Sequence, residues 1–109
     1  MELKNVGLPI AQRELELEGA RKVIVVVGKP EKFPGDDDYY CPYQITGLGD
    51  GKVRYAGGID GVQALWLALQ MIGADLYTSS EAQNGKLTWH DERALGFPVP
   101  DSVRDLLPP

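Results

Sequence analysis

The alternation of hydrophobic and polar residues predicts a sheet in the first half of the chain. Ala11–Glu18 alternates, with Arg13 among the apolar residues of one face and polar residues on the other, which is typical of a half-buried strand. After a turn at Gly19-Ala20, Lys22–Gly28 contains an unbroken run of β-branched residues. Such a run has no polar face, so it favours a central strand.

Two further strands follow a charged, proline-containing loop at residues 29–38. Tyr39–Gly47 resumes the alternation, and a second strand covers Lys52–Gly58. The dipeptide Asp50-Gly51 between them predicts a two-residue hairpin, because a type I′ turn needs positive φ at both central positions. Four strands joined by short connections predict an antiparallel meander.

The segment from Asp60 to about Tyr77 predicts one long helix. Asp60 is placed to cap the first free backbone amides, and Gln63 is placed to reach back toward the cap. The helical repeat gathers apolar residues on one side, while Gln63, Gln70 and Tyr77 fall on the other. The apolar side contains Val62, Leu65, Ala68, Leu69, Ile72 and Leu76. Trp66, Leu67 and Met71 occupy the flanks, so we expect this helix to be covered on more than one side.

The last thirty residues have a weaker pattern. They predict a short strand at Leu87–Trp89, an extended segment bracketed by prolines, and a final helical turn starting at Asp101 or Ser102. The fold class that follows is α+β. It is a single domain over residues 1–109, with a four-stranded antiparallel meander, one long helix (about 60–77) packed on one face, and an irregular C-terminal segment.

One helix leaves the second face of the sheet without a cover. The second strand has valines on both of its faces, so that face also carries apolar residues. The preferred cover is the C-terminal segment with Phe97, Val99 and Leu106, and the alternative is a second copy of the chain in a homodimer.

Composition and charge narrow the functional classes. The chain has 109 residues, with 11 Lys and Arg against 16 Asp and Glu, for a net charge of −5. This charge disfavours nucleic acid as a partner. No apolar run approaches the length of a membrane span, and the N-terminus lacks the pattern of a secretion signal. A single cysteine gives no disulfide, so we expect a cytoplasmic protein.

Few residues have the pattern of a catalytic or cofactor site. Cys41 and His90 are the one conceivable pair of nucleophile and base, although Cys41 is predicted to face inward and His90 to lie at the surface. A lone histidine without clustered ligands makes a poor metal site. The glycine-rich stretches Gly47–Lys52 and Gly57–Asp60 lack a Walker lysine and a dinucleotide-binding pattern, so they indicate a hairpin and a helix start. The sequence therefore predicts no cofactor and no metal.

The residues from Cys41 to Leu76 resemble a known group of proteins. The segment contains C-P-Y at Cys41–Tyr43, a short hairpin, and a helix start of the form G-x-D-x-x-Q-A-L at Gly58–Leu65. In these features it is similar to an uncharacterised family of small bacterial α+β proteins, described as a domain of unknown function. A looser likeness, in size, acidity and strand-then-helix order, links the chain to immunity proteins that neutralise toxins.

Two functional hypotheses follow. The first is a noncatalytic protein-binding module, immunity-like in form, that binds a partner with a basic surface through an acidic loop and a helix strip. Its candidate contact residues are Asp36, Asp37, Asp38, Tyr39, Tyr40, Gln63, Trp66 and Gln70. The alternative is a small-molecule binder or small enzyme with a pocket near Cys41 and His90.

Overall fold

The computed structural model describes all residues from Met1 to Pro109 and contains the predicted antiparallel sheet. The four long strands and the short strand predicted at Leu87–Trp89 are confirmed, and one two-residue strand in the predicted loop is added to them. The strands are β1 (Pro9–Leu17), β2 (Arg21–Gly28), β3 (Glu31–Lys32), β4 (Tyr39–Thr46), β5 (Val53–Gly58) and β6 (Leu87–Thr88). They lie in the order β6-β1-β2-β4-β5, and β3 pairs with the first two residues of β4.

The long helix is confirmed with its predicted cap. Helix α1 spans Gly61–Tyr77, and the Asp60 carboxylate accepts the Gln63 N–H at 2.8 Å. The Gln63 side chain in turn accepts the N–H of Ile59 at 2.8 Å, so both residues stabilise the helix start. A one-turn helix α2 (Ser80–Gln83) and a C-terminal 3-10 helix (Asp101–Leu106) follow. None of these helices has the length and apolar character needed to cross a lipid bilayer.

One continuous core lies between α1 and a single face of the sheet. Helix α1 lies across β4 and β5, at one side of this face. The buried residues alternate along the strands and recur every three or four positions along the helix, as the two periodicities require. They are Leu15, Leu17, Val23, Val25, Val27, Cys41, Tyr43, Ala56, Ala64, Ala68, Ile72, Leu76, Tyr77, Leu87 and Leu95.

The C-terminal segment packs on the same side of the sheet as α1. The Arg13 guanidinium lies over the Trp89 ring, 3.8 Å from its centroid, and 4.9 Å from the centroid of Phe97. It also donates hydrogen bonds of 3.1 Å to the carbonyl oxygens of Leu95 and Gly96. The expectation that this segment covers the second face is therefore wrong. Helix α1 is too narrow to cover the whole of the face on which it packs, and the segment covers the β1 half of that face.

The second face is covered in pieces by other parts of the chain. Near β1 it is polar, and Lys22 lies 3.6 and 3.9 Å from the carboxylates of Glu14 and Glu16. Near β5 it carries a cluster of Phe33, Tyr40 and Tyr55, with ring centroids 5.2 to 5.9 Å apart. Between them the N-terminal segment crosses Gly28 so closely that a β-carbon there would overlap the carbonyl oxygen of Val6.

The C-terminal segment also changes which side of α1 is buried. Tyr77, predicted to face outward, is 4% exposed, and its hydroxyl accepts the Leu95 N–H at 2.6 Å. Val62, predicted to face the core, is 78% exposed. The two errors have one cause, because the segment after Leu95 covers the C-terminal half of that side of α1 and leaves the N-terminal half open.

The connection between β4 and β5 is longer than the predicted two-residue turn. It runs from Gly47 to Lys52, and Gly47, Gly49 and Gly51 have φ values of 89°, 70° and 70°. Asp50 is not among the residues with positive φ, so the type I′ prediction is wrong. At Gly47 a β-carbon would overlap the Lys22 carbonyl oxygen, which explains the glycine where β4 leaves β2.

Two glycines of α1 give a matched test of this packing. Gly73→Ala is expected to lower the free energy of unfolding by about 2 kcal/mol, because a β-carbon there overlaps the Pro98 carbonyl oxygen and forces the C-terminal segment away. Gly61→Ala meets Pro30 at an ordinary 3.5 Å and gains helix propensity, so it is expected to be neutral or stabilising by up to about 1 kcal/mol. Urea denaturation of the two variants checks both values, and equal effects would contradict the proposed contact.

Candidate functional site

The predicted acidic loop and the start of α1 lie at the same end of the molecule. Residues 36–38 are exposed, and the loop is closed by the Phe33 N–H donating to the Asp38 carbonyl oxygen at 2.9 Å. Tyr39, directly after the loop, pairs with Gly58, directly before the helix start. The structure therefore places the three aspartates of the loop beside the beginning of α1.

The two predicted contact tyrosines point to opposite faces of the sheet. Tyr39 packs against the core, whereas Tyr40 contacts Phe33 and Tyr55 on the second face. Both are half-buried, since neighbouring residues of a strand alternate between faces. Neither tyrosine is a free side chain at the loop tip, since Tyr39 contributes to the core and Tyr40 to the aromatic cluster of the second face.

The first half of α1 presents apolar side chains to solvent. Val62 and Trp66 are four residues apart on one side of the helix and are 78% and 53% exposed. Ile59, just before the cap, is 72% exposed. We call these three residues the apolar row. Of the predicted polar neighbours, Gln63 is exposed but engaged in the cap, and Gln70 is half-buried.

The structure separates Cys41 from His90. Cys41 is fully buried in β4, where its thiol lies 3.4 Å from the Gly28 carbonyl oxygen and burial raises its pKa to about 11. His90 is exposed on a turn after β6, the edge strand on the far side of β1 and β2 from β4. Its ring lies against the Trp89 ring at a tilt of 50°. A groove does reach His90, but it is lined by residues of β1, by Lys22 and by Trp89, not by Cys41. The predicted pocket at this pair is therefore not formed.

A different groove lies between the β4–β5 hairpin and the C-terminal end of α1. Its volume is about 360 Å³, within the size range of small-ligand sites. Tyr43 lies at its base, and Ile45 and Leu48 give it an apolar wall. The rest of the lining is polar, and its charged members are Asp50, Lys52, Arg54, Asp75 and Glu81.

The charges in this groove are only partly paired. Arg54 donates to the Asp50 carboxylate at 2.8 Å, and the Lys52 N–H, donating to the same side chain at 2.9 Å, lowers the Asp50 pKa. Asp75 and Lys52 have no ion-pair partner within 4.0 Å. The Asp75 carboxylate receives only the Tyr43 hydroxyl, at 3.5 Å. Desolvation raises the pKa values of both Tyr43 and Asp75.

The sequence contains one feature of this groove that hydrophobic periodicity does not reveal. Asp75 is the only charged residue between Gly61 and Tyr77. It lies near the helix C-terminus, where the macrodipole disfavours a negative charge. A lone carboxylate in such a position is slightly costly for the helix, so its charge is not explained by helix formation alone. The structure holds no cluster of three or more His, Cys, Asp or Glu side chains placed to bind a metal ion.

The buried thiol gives a direct test of the Cys41 environment. In the native protein, Cys41 is expected to react with iodoacetamide at least a hundredfold more slowly than in urea, because it is inaccessible and its pKa is raised to about 11. Mass spectrometry of the labelled protein measures both rates. His90→Ala should leave the native rate unchanged, and an accelerated or slowed reaction in that variant would show that the two residues interact.

The Asp75 carboxylate is expected to cost stability at neutral pH. Its pKa is raised in the folded state by desolvation, so the folded protein binds a proton here more readily than the unfolded chain does. The cost is therefore absent below the pKa of the unfolded state and is complete above the folded pKa. Because Asp75 is exposed and its charge is screened by solvent, Asp75→Asn should raise the free energy of unfolding by no more than about 0.5 kcal/mol at pH 7. Thermal denaturation at pH 7 and pH 3 checks that this gain disappears in acid.

The comparisons with known proteins identify a family without an assigned activity. No curated protein and no solved structure matches the chain. The family model of DUF6968, a domain of unknown function, matches residues 11–99, which include the whole sheet-and-helix core and the segment over Arg13. The resemblance noted at Cys41–Leu76 is thereby confirmed, and the chain belongs to the DUF6968 family.

Proposed function

We propose that the protein is a noncatalytic protein-binding module whose contact surface is centred on the apolar row of α1. The observation that carries this proposal is the exposure of Val62 and Trp66, at 78% and 53%, on one side of α1, with Ile59, at 72%, just before the helix cap. Isolated exposed apolar residues are ordinary, but adjacent ones that include a tryptophan are typical of protein interfaces.

The charge around this surface favours a basic partner. Residues 29–38 together with Asp60 carry five carboxylates and two lysines, and they lie at the end of the molecule where α1 begins. Asp36–Asp38 are exposed. Charges at the rim of an interface accelerate association with an oppositely charged protein, while the buried apolar centre supplies most of the affinity.

An immunity-like role is one form of this function, in which the basic partner is a toxin. It is supported by the looser likeness in size, acidity and element order, and such likeness carries less weight than a site. Co-expression with the product of a neighbouring gene tests it. Growth rescue that requires Trp66 would favour the immunity-like role. Absence of rescue would argue against a toxin as the partner and would not bear on binding to other basic proteins.

The main test is affinity capture from the native host with variants of the apolar row. The double variant Val62→Ser, Trp66→Ala is expected to lose at least tenfold of the captured basic protein, because truncating a central aromatic contact typically costs about 2 kcal/mol or more. Replacing Asp36–Asp38 with asparagines should weaken capture several-fold at low salt and little at high salt. Quantitative mass spectrometry of the captured protein measures both effects.

The matched control is Leu107→Ser, which changes an apolar residue that is 37% exposed in the C-terminal tail. It should retain full capture. Capture that survives the double variant would overturn the proposal. A concentration-dependent dimer in light scattering that the double variant abolishes would also overturn it, because the surface would then bind a second copy of this chain.

A further inference from the structure

We propose that the groove between the β4–β5 hairpin and the end of α1 binds a small zwitterion, with an ammonium group at Asp75 and a carboxylate at Lys52. The ligand class is a compound whose two charges are separated by a short apolar chain. This site lies at the opposite end of α1 from the apolar row, so it is independent of the proposed protein-binding function.

The helix side of the groove favours a positive group. Asp75 has no ion-pair partner within 4.0 Å, and its carboxylate is close to the Tyr43 hydroxyl, whose side chain is 1% exposed. Glu81 adds a second carboxylate to the same lining. The helix C-terminus adds the negative end of the macrodipole. An ammonium group at Asp75 would donate charge-assisted hydrogen bonds to the carboxylate and to the free lone pair of the Tyr43 hydroxyl oxygen.

The hairpin side favours a negative group. The Lys52 ammonium group has no carboxylate within 4.0 Å, and Arg54 uses one amino group on Asp50 while its other donors have no protein acceptor. Lys52 and Asp75 line the same groove, yet they do not form an ion pair with each other. Opposite charges that are held apart across a groove are complementary to a ligand that places its positive group at the carboxylate and its negative group at the ammonium.

The space between the charged sides suits an apolar chain. Ile45 and Leu48 are half-buried and line the groove beside Tyr43. The volume of about 360 Å³ is at the lower end of the range for small-molecule sites, so the ligand is no larger than a single amino acid with a short carbon chain. Burial of a few methylene groups against these side chains adds to the affinity.

Titration of the ¹⁵N-labelled protein with 4-aminobutanoate and 6-aminohexanoate tests this inference. At least one of them should shift the amide signals of Leu48, Asp75 and Ser79, and should bind at least tenfold more tightly than butylamine or butanoate. Asp75→Asn and Lys52→Gln should each reduce the affinity about tenfold. Both changes are at the surface of the fold, and Asp75→Asn is expected to leave the protein more stable.

The matched controls are Asp105→Asn and Lys4→Gln, which remove the same charges outside the groove and should leave the affinity unchanged. Four results would overturn the inference. They are an absence of shifts with both amino acids, shifts that map elsewhere, equal binding of the singly charged compounds, and binding that survives the loss of Asp75. None of them bears on the apolar row, since the titration reports only on the groove.

Discussion

The fold depends on how a single helix covers one face of a sheet that is wider than the helix. An α-helix is about 10 Å across and adjacent strands are about 4.8 Å apart, so one helix covers about two strands. Helix α1 takes β4 and β5, and β1 and β2 are left open beside it. Arg13 resolves this, because its guanidinium contacts Trp89 and Phe97 and binds two backbone carbonyls of the segment between them. The irregular C-terminal segment thereby becomes the second cover of the core.

The same arrangement determines which parts of α1 remain free. Gly73 lets the backbone at Pro98 approach the helix, and Tyr77 is sealed by its hydrogen bond to the Leu95 N–H. Val62 and Trp66 lie on the same side of the helix, but further toward its start, where the segment does not reach. The exposed apolar row therefore continues, toward the start of α1, a line of residues that the C-terminal segment buries near the end of the helix.

Local sequence patterns predicted the strands and the helix, whereas contacts between distant parts of the chain determine what packs against them. The alternation in β1, the β-branched run in β2 and the cap at Asp60 depend on neighbouring residues, so sequence alone located them. The side on which the C-terminal segment lies depends on Arg13, some eighty residues earlier, and no local pattern contains that pairing. Arg13 was nevertheless visible as a charged residue on the apolar face of its strand. Asp75 was visible in the same way, as a single charge in an otherwise uncharged helix.

The two charged residues in apolar surroundings, Arg13 and Asp75, have different explanations. The charge of Arg13 is matched within the chain by aromatic faces and carbonyl oxygens, so its position is explained by folding. The charge of Asp75 has one long contact to a hydroxyl and a longer-range attraction to Arg54, at the end of the helix that disfavours it. Desolvation raises the pKa of the carboxylate, and the attraction of Arg54 and the hydrogen bond from Tyr43 offset this only in part. An exposed carboxylate that the fold stabilises only in part, in a groove of ligand size, supports the proposal that the groove binds a charged ligand.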